Sequence, residues 1–346
     1  METFWFIAIA LMLTTYVVLD GFDLGAGAIL HRICKSNSER ALVIEAIGPV
    51  WDGNEVWLVA AGGTLFFAFP SLYAASFSGF YLPLMMVLWL LMLRGIGIEL
   101  RNHVHNEMWQ SLWDFVFSLS SGLLVFMFGA ALGNVIRGVQ FDSQGEFFSP
   151  LWTNLRTSGN IGILDWYTIL TGLVAVVSLT IHGAHYVAAR SAGSVNLRAK
   201  RFASLAWWPL LAVTGASLAA TLTVRPQIHE NYQQKPWLFV FPVIVLVSLG
   251  LMRYFNNSQR PAAEWAAFLS SAAYLSGLLL GAAAALYPVL LPSNNDPTAG
   301  LTIYNARASE YGLRVGMMWW VVGIVLAIGY FIFLYRQVRE KIRIEA

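Results

Sequence analysis

The chain is 346 residues long, 58% hydrophobic and 12% charged, with 21 Lys and Arg against 19 Asp and Glu for a formal net charge of +2. A soluble domain carries roughly 45–50% apolar and 25% charged residues, so the composition excludes that class and points to an integral membrane protein. The small net charge gives no basis for nucleic-acid binding, and the single cysteine, Cys34, excludes a disulfide within the chain.

Nine apolar stretches are long enough to cross a bilayer, at about 4–30, 48–69, 73–100, 111–137, 163–189, 203–224, 237–254, 263–288 and 313–335. They predict an all-α integral membrane protein, with residues 1–346 forming a single membrane domain. The first stretch, Phe4 to Leu19, has no basic flank before it and no small-residue cleavage site after it, so it reads as a retained helix. Its length is only about 24 Å as a helix, which draws Asp20 and Asp23 to the membrane edge. The second contains Val56 to Phe69, about 21 Å as a helix against a hydrocarbon core of about 30 Å. To span, it must include Trp51, Asp52, Gly53, Asn54 and Glu55.

Arg94 and Glu99 lie near the end of the third stretch, and Asp114 near the start of the fourth. His182 and His185 lie toward the end of the fifth. The segments 138–162 and 289–312 are rich in Gly, Pro, Ser and Asn and read as irregular loops. There is neither a convincing internal repeat nor a segment large enough for a separate soluble domain.

Basic residues set the orientation. With the N-terminus outside, the inner side receives Arg32, Lys35, Arg40, Arg101, Arg190, Arg198, Lys200, Arg201, Arg253, Arg260, Arg336, Arg339, Lys341 and Arg343, which is 14. The outer side receives Arg137, Arg156, Arg225, Lys235, Arg307 and Arg314, which is 6. The expected topology is therefore N-terminus out and C-terminus in. It gathers nearly every ionisable group within a span into the cytoplasmic half and leaves the outer half almost bare.

An ionisable group inside a span costs roughly 2.5–3.5 kcal/mol on insertion scales, so such groups are paired, hydrated or functional. Asp20 with Asp23, and Asp52 with Glu55, are spaced i,i+3 and share a helix face. Two acids on one face are poor partners for each other but plausible proton-exchanging groups. Arg94 is the one cation inside a span and the obvious charge partner. The competing reading is that these residues snorkel to the interface or tie helices together.

Gly21 and Gly25 stand at a small-xxx-small spacing that permits close helix approach. Pro49, Trp51 and Trp57 read as a helix-start proline and interface anchors. His182 and His185 could present two imidazoles to a metal or haem. With no Cys or carboxylate nearby, they read more simply as histidines hydrogen-bonded across helices.

Three stretches carry a resemblance. "VLDGFDLGAG" (18–27), "IGPVWDGNEVWLVAAGGTLFFAFP" (47–70) and "YAASFSGFYLPL" (73–84) followed by Arg94 closely resemble subunit II of cytochrome bd-type quinol oxidases. "HGAHYVAARSAG" (182–193) and "YPVLLPSN" (287–294) fit more loosely. The resemblance implies nine helices, arranged as two four-helix bundles and one peripheral helix. It implies a heterodimer with subunit I, which would carry haems b558, b595 and d and the quinol-oxidising loop. Accessory subunits, and a quinone or lipid bound in this chain, stay open.

The implied complex oxidises quinol, reduces oxygen to water in an aerobic respiratory chain and draws protons from the cytoplasm. It would lie in the cytoplasmic membrane of a bacterium or archaeon. No axial haem ligand or other metal ligand is expected from this chain. The implied proton-path residues are Asp20, Asp23, Asp52 and Glu99, with Arg94 as charge partner. Glu55 and Asp114 join them on position alone. Gly21, Gly25, Trp51, Asn54 and Trp57 are expected in helix packing or at the subunit interface. The alternatives are an ion-coupled transporter, which paired repeats and midplane helix breaks would favour, and a purely structural scaffold subunit.

Overall fold

The computed structural model describes residues 1–143, 145–260, 262–296, 298–338 and 341–342. Arg339 and Arg343 of the basic count lie outside the described residues. The long helices are α1 (Glu2–Ile33), α3 (Trp51–Ala68), α5 (Tyr81–Leu100), α6 (Glu107–Arg137), α7 (Trp166–Arg190), α8 (Gly193–Val224), α10 (Val240–Asn256), α11 (Ala263–Leu286) and α12 (Glu310–Gln337). Shorter elements are α2 (Asn37–Ile47), α4 (Pro70–Gly79), α9 (Gln227–Gln234), a 3₁₀ turn at Pro236–Phe239 and a two-stranded antiparallel pair, β1 (Val289–Leu291) with β2 (Leu301–Thr302).

Among the described residues eight helices are long and apolar enough to cross a membrane, and α3 joined to α4 makes a ninth. The expected limits shift around that join. Pro70, with no N–H to donate, opens α4 directly after Phe69, and the two axes diverge by 118°. The stretch read as one span over 73–100 is therefore divided at Phe80, and the crossing helix begins at Tyr81. On the other side, residues 37–47 form the separate helix α2, started by a Ser36–Glu39 capping box.

α1, α3, α5 and α6 pack as one group, and α7, α8, α10 and α11 as a second, with α1 against α7 along the seam. At the crossing, a Cβ on Gly25 would collide with the Leu179 carbonyl, and one on Gly183 with the Ala26 amide. Only glycine lets the two backbones meet there. α12 lies outside both groups, with none of its most apolar 18-residue window buried. It leans on α1 and α3 through Trp320 beside Trp5 (ring centroids 6.1 Å) and Phe331 beside Trp57 (5.4 Å).

The antiparallel path gives the bundle two ends. One holds α2 and the C-terminal ends of α1, α5, α7 and α12. The other carries the loops between α6 and α7 and between α11 and α12. The loop end is not bare of buried charge: Arg137 is 1% and Asp165 0% exposed, and they form an ion pair. Asp165 also caps α7 through the amides of Tyr167 and Thr168 (2.8 and 2.9 Å), and Arg137 donates to Asn134 Oδ1 (2.7 Å) and the Gly162 carbonyl (3.1 Å). Every donor here has a fixed partner, which makes the pair a clamp on the α6–α7 loop.

Candidate functional site

Inside the bundle, near its α2 end, the guanidinium of Arg94 is the hub. Arg94 is 0% exposed. Its Nη2 donates to Asp20 Oδ1 (2.5 Å) and its Nη1 to Asp20 Oδ2 (3.0 Å), a two-pronged pair that presents a planar fork to a planar carboxylate. Nη1 also donates to Glu55 Oε1 (2.6 Å), and Asp23 Oδ2 lies 3.9 Å from Nη2. The Trp51 ring covers the group, with its centroid 5.9 Å from the guanidinium carbon.

Helix periodicity explains the convergence. Asp20 and Asp23, three residues apart on α1, face the start of α3, where Asn54 and Glu55 follow Trp51. Arg94 enters from α5. Asn54 is wholly buried and donates to Asp23 Oδ2 (2.7 Å) and to the Leu19 carbonyl (3.1 Å). Its own Oδ1 accepts from the Tyr335 hydroxyl of α12 (2.8 Å). The buried Tyr16 lies one turn from Asp20. Among the described residues Asp23 Oδ1 has no hydrogen-bond partner although it is buried. Of the three carboxylates, Glu55 alone reaches outward, with 26% of its side chain exposed.

The cluster gathers Asp20, Asp23, Glu55 and Arg94, and it excludes three acids that sequence position groups with them. Asp52 and Glu99 are exposed. Asp52 lies on the outer face of the first turn of α3. Glu99 lines a groove of about 690 Å³ together with Glu45, Asn102, His103 and Trp51. Asp114 is fully buried but belongs to a separate knot, where Arg101 Nε (2.5 Å) and Arg40 Nε (2.8 Å) both reach it and Arg101 Nη2 also binds Asn37 Oδ1 (2.6 Å). That knot ties α2 to α5 and α6. Asn54, expected in helix packing or at the subunit interface, bonds Asp23 and the Leu19 carbonyl across the α1–α3 contact. Tyr335 carries no sequence signal of a role beyond being an aromatic in an apolar helix.

The histidines belong to the α1–α7–α11 seam. His182 stacks on Phe268 (4.7 Å), and its two ring nitrogens engage Ser271 Oγ (2.7 Å) and the Val18 carbonyl (2.9 Å). With both nitrogens occupied by protein groups, His182 does not fit an axial haem ligand. His185 is buried in the same seam, one turn nearer the α2 end. Among the described residues no three His, Cys, Asp or Glu side chains converge as a metal site.

A second ionic corner at the α2 end lies outside the spans. Glu39 pairs with Arg198 (2.6 Å) and accepts from the Lys35 amide (2.6 Å) and Ser194 Oγ (2.7 Å). Burial pushes its carboxyl up, but these donors outweigh burial and hold it down to about 2 from an ordinary 4.5. A carboxyl depressed in the folded state stabilises fully above its unfolded value, and that contribution drains away as pH falls from about 4.5 toward 2. Acid unfolding of a Glu39→Gln variant, followed by circular dichroism in detergent, is accordingly expected to lose part of its pH dependence below 4.5 and to begin from lower stability at neutral pH.

A multi-pass helical bundle with a buried carboxylate–guanidinium cluster near one end is the class that fold and site define. A family model described as cytochrome bd terminal oxidase subunit II matches residues 1–338. A probable cytochrome oxidase subunit 2 of Haemophilus influenzae is 31% identical over 358 residues, covering 96% of this chain and 93% of the relative. The cytochrome bd-I ubiquinol oxidase subunit 2 of Escherichia coli (strain K12) is 30% identical over 351 residues (94% and 90%). The cytochrome bd ubiquinol oxidase subunit 2 of Bacillus subtilis is 26% identical over 339 residues (98% and 96%). The bd oxidase structure from Geobacillus thermodenitrificans shares the fold, with a TM-score of 0.76 at 18% identity over 97% of this chain and 98% of that one.

The chain belongs to the cytochrome bd terminal oxidase subunit II family. It is a membrane-spanning subunit of a quinol-oxidising oxidoreductase complex, and haem belongs to that complex.

Proposed function

We propose that this chain pairs with the haem-carrying subunit I and conducts protons from the cytoplasm toward the site of oxygen reduction, through the cluster of Asp20, Asp23, Glu55 and Arg94. One observation carries the reading: three carboxylates surround one guanidinium within the membrane. Fully ionised, the group would bear a net charge of −2, and uncompensated charge in such a place costs several kcal/mol per ion. Bound protons neutralise it, and acids that must hold protons can also pass them on.

The layout supports a direction. Glu55 reaches outward beside Trp51, which also lines the groove holding Glu45, Glu99 and His103. Those exposed groups can collect protons at the surface, and Glu55 can hand them to the Asp20–Arg94 pair and Asp23. Asp52 and Glu99 act at the mouth in this scheme, and Asp114 holds α2 in place. Oxygen reduction consumes protons; this chain's residues hold and move them, and any haem lies with the partner. An apolar hollow of about 410 Å³ between α1, α3 and α12, lined by Trp57, Thr64 and Trp320 among others, suits a lipid tail or the chain of a quinone.

The inward supply requires the α2 end to face the cytoplasm. Cysteines introduced in place of Phe148 (69% exposed, loop end) and Leu197 (69% exposed, α2 end) report on this. In intact cells a membrane-impermeant maleimide is expected to label the first and spare the second, and the reverse pattern would remove the cytoplasmic supply. Expressed without subunit I, the chain is expected to carry no stoichiometric haem; a full haem spectrum from the isolated chain would contradict the division of labour.

A further inference from the structure

We propose that Tyr335 of α12 is a positioning residue of the proton path. It holds the Asn54 amide against Asp23, so that Asp23 Oδ1 is left as the free oxygen that takes up and releases the proton. This rests on the proton-path reading above and assigns within it a role to the peripheral helix.

Asn54 is buried, so each of its polar groups must find a partner. Its Nδ2 faces two acceptors, Asp23 Oδ2 at 2.7 Å and the Leu19 carbonyl at 3.1 Å. Its Oδ1 has, among the described residues, one donor, the Tyr335 hydroxyl at 2.8 Å. The chain Tyr335 to Asn54 to Asp23 therefore runs in one sense, each member donating to the next, and it fills one oxygen of Asp23.

The other oxygen, Oδ1, is buried without a partner among the described residues, and the guanidinium is 3.9 Å from Oδ2, beyond hydrogen-bond reach. Asp20 differs on each count, because Arg94 engages both of its oxygens at 2.5 and 3.0 Å. Asp20 is thus fixed as the counter-ion, whereas Asp23 is held by one side and open on the other. Tyr335 is half-buried and packs with Leu334 against the core, on a helix that otherwise leans on the bundle through the buried Leu313, ring contacts and the Trp5 indole bond to the Leu313 carbonyl.

Removing the hydroxyl in Tyr335→Phe leaves the ring that stacks on Phe331 (6.4 Å). It strips Asn54 Oδ1 of its donor. The nearest replacement is the O–H of a protonated Asp23, so the amide turns its oxygen toward the carboxyl and, by accepting that hydrogen bond, holds the proton on Asp23 that should move on.

The test uses the whole complex, comparing Tyr335→Phe, Asp23→Asn and wild type for haem content, quinol KM, oxygen turnover and the infrared C=O stretch of protonated carboxyls. The expected result for Tyr335→Phe is unchanged haem content and KM, turnover lowered about five- to tenfold, and a shift of the carboxyl band that Asp23→Asn deletes. Normal turnover with an unshifted band overturns the inference while Asp23→Asn remains slow. Turnover lost only in proportion to haem also overturns it, by assigning Tyr335 to the docking of α12. If Asp23→Asn itself turns over normally, the proton-path reading fails at its root.

Discussion

Replacement of Arg94 by methionine is expected to abolish assembly of the complex rather than merely slow it. The substitution keeps length and apolar bulk but removes the only group that, among the described residues, reaches both Asp20 oxygens and Glu55 Oε1. Asp20, which is wholly buried, is left without its cation. Breaking a buried pair by removing one partner costs about 3–5 kcal/mol, against a total stability of about 5–15 kcal/mol for a folded domain. Size-exclusion profiles and haem yield should show little intact complex. Arg94→Lys should do only slightly better, since a point charge cannot reproduce the fork. Pairing Arg94→Met with Asp20→Asn should recover part of the assembly because the stranded charge is gone. Wild-type yield of Arg94→Met would show that the cluster is not held together by this guanidinium.

Glu55→Gln is expected to do the opposite: assembly intact, turnover lowered at least tenfold, equivalent to about 1.4 kcal/mol or more on the barrier. Glutamine has the same shape and its carbonyl can still accept from Arg94 Nη1, so the packing of α3 against α1 survives. It cannot carry a proton at accessible pH. Glu55→Asp should regain part of the rate. Asp114→Asn is the informative contrast. Asp114 is pinned by Arg101 and Arg40, so its loss should lower thermal stability while the complex that survives turns over normally. Oxygen uptake per haem, together with a melting curve, separates the two patterns.

Much of this was legible before any coordinates. The count of apolar stretches and the identification of Arg94 as the counter-ion follow from lengths and charges alone, whereas the 118° break at Pro70 does not. What pattern could not supply was which acid faces inward. Asp52 and Glu55 sit three apart on one helix and look equivalent by periodicity, yet the packing of α3 against α1 turns Glu55 toward Arg94 and leaves Asp52 on the surface. Asp114 looked like a member of the same track because it lies at the same depth, but two arginines from other elements claim it. Arg137 counts in the sequence only as an outer-side basic residue at the end of its span, because its partner, Asp165, is 28 residues away, beyond a long loop. Tyr335 lies 281 residues from Asn54, and nothing local marks it. Depth is written in the sequence through hydropathy, whereas facing depends on which helix a neighbour happens to be.

Protons are proposed to reach the oxygen-reducing site through this cluster from the α2 end. Proton uptake by the complex in sealed vesicles, oriented so that a pH dye reads the α2 side, tests this route most directly when oxygen reduction is triggered in Glu55→Gln. Electrons are expected to leave quinol at the normal initial rate while dye-detected proton uptake on that side slows by at least tenfold. Uptake at the wild-type rate from the α2 side, in a variant with full haem content, would contradict the route.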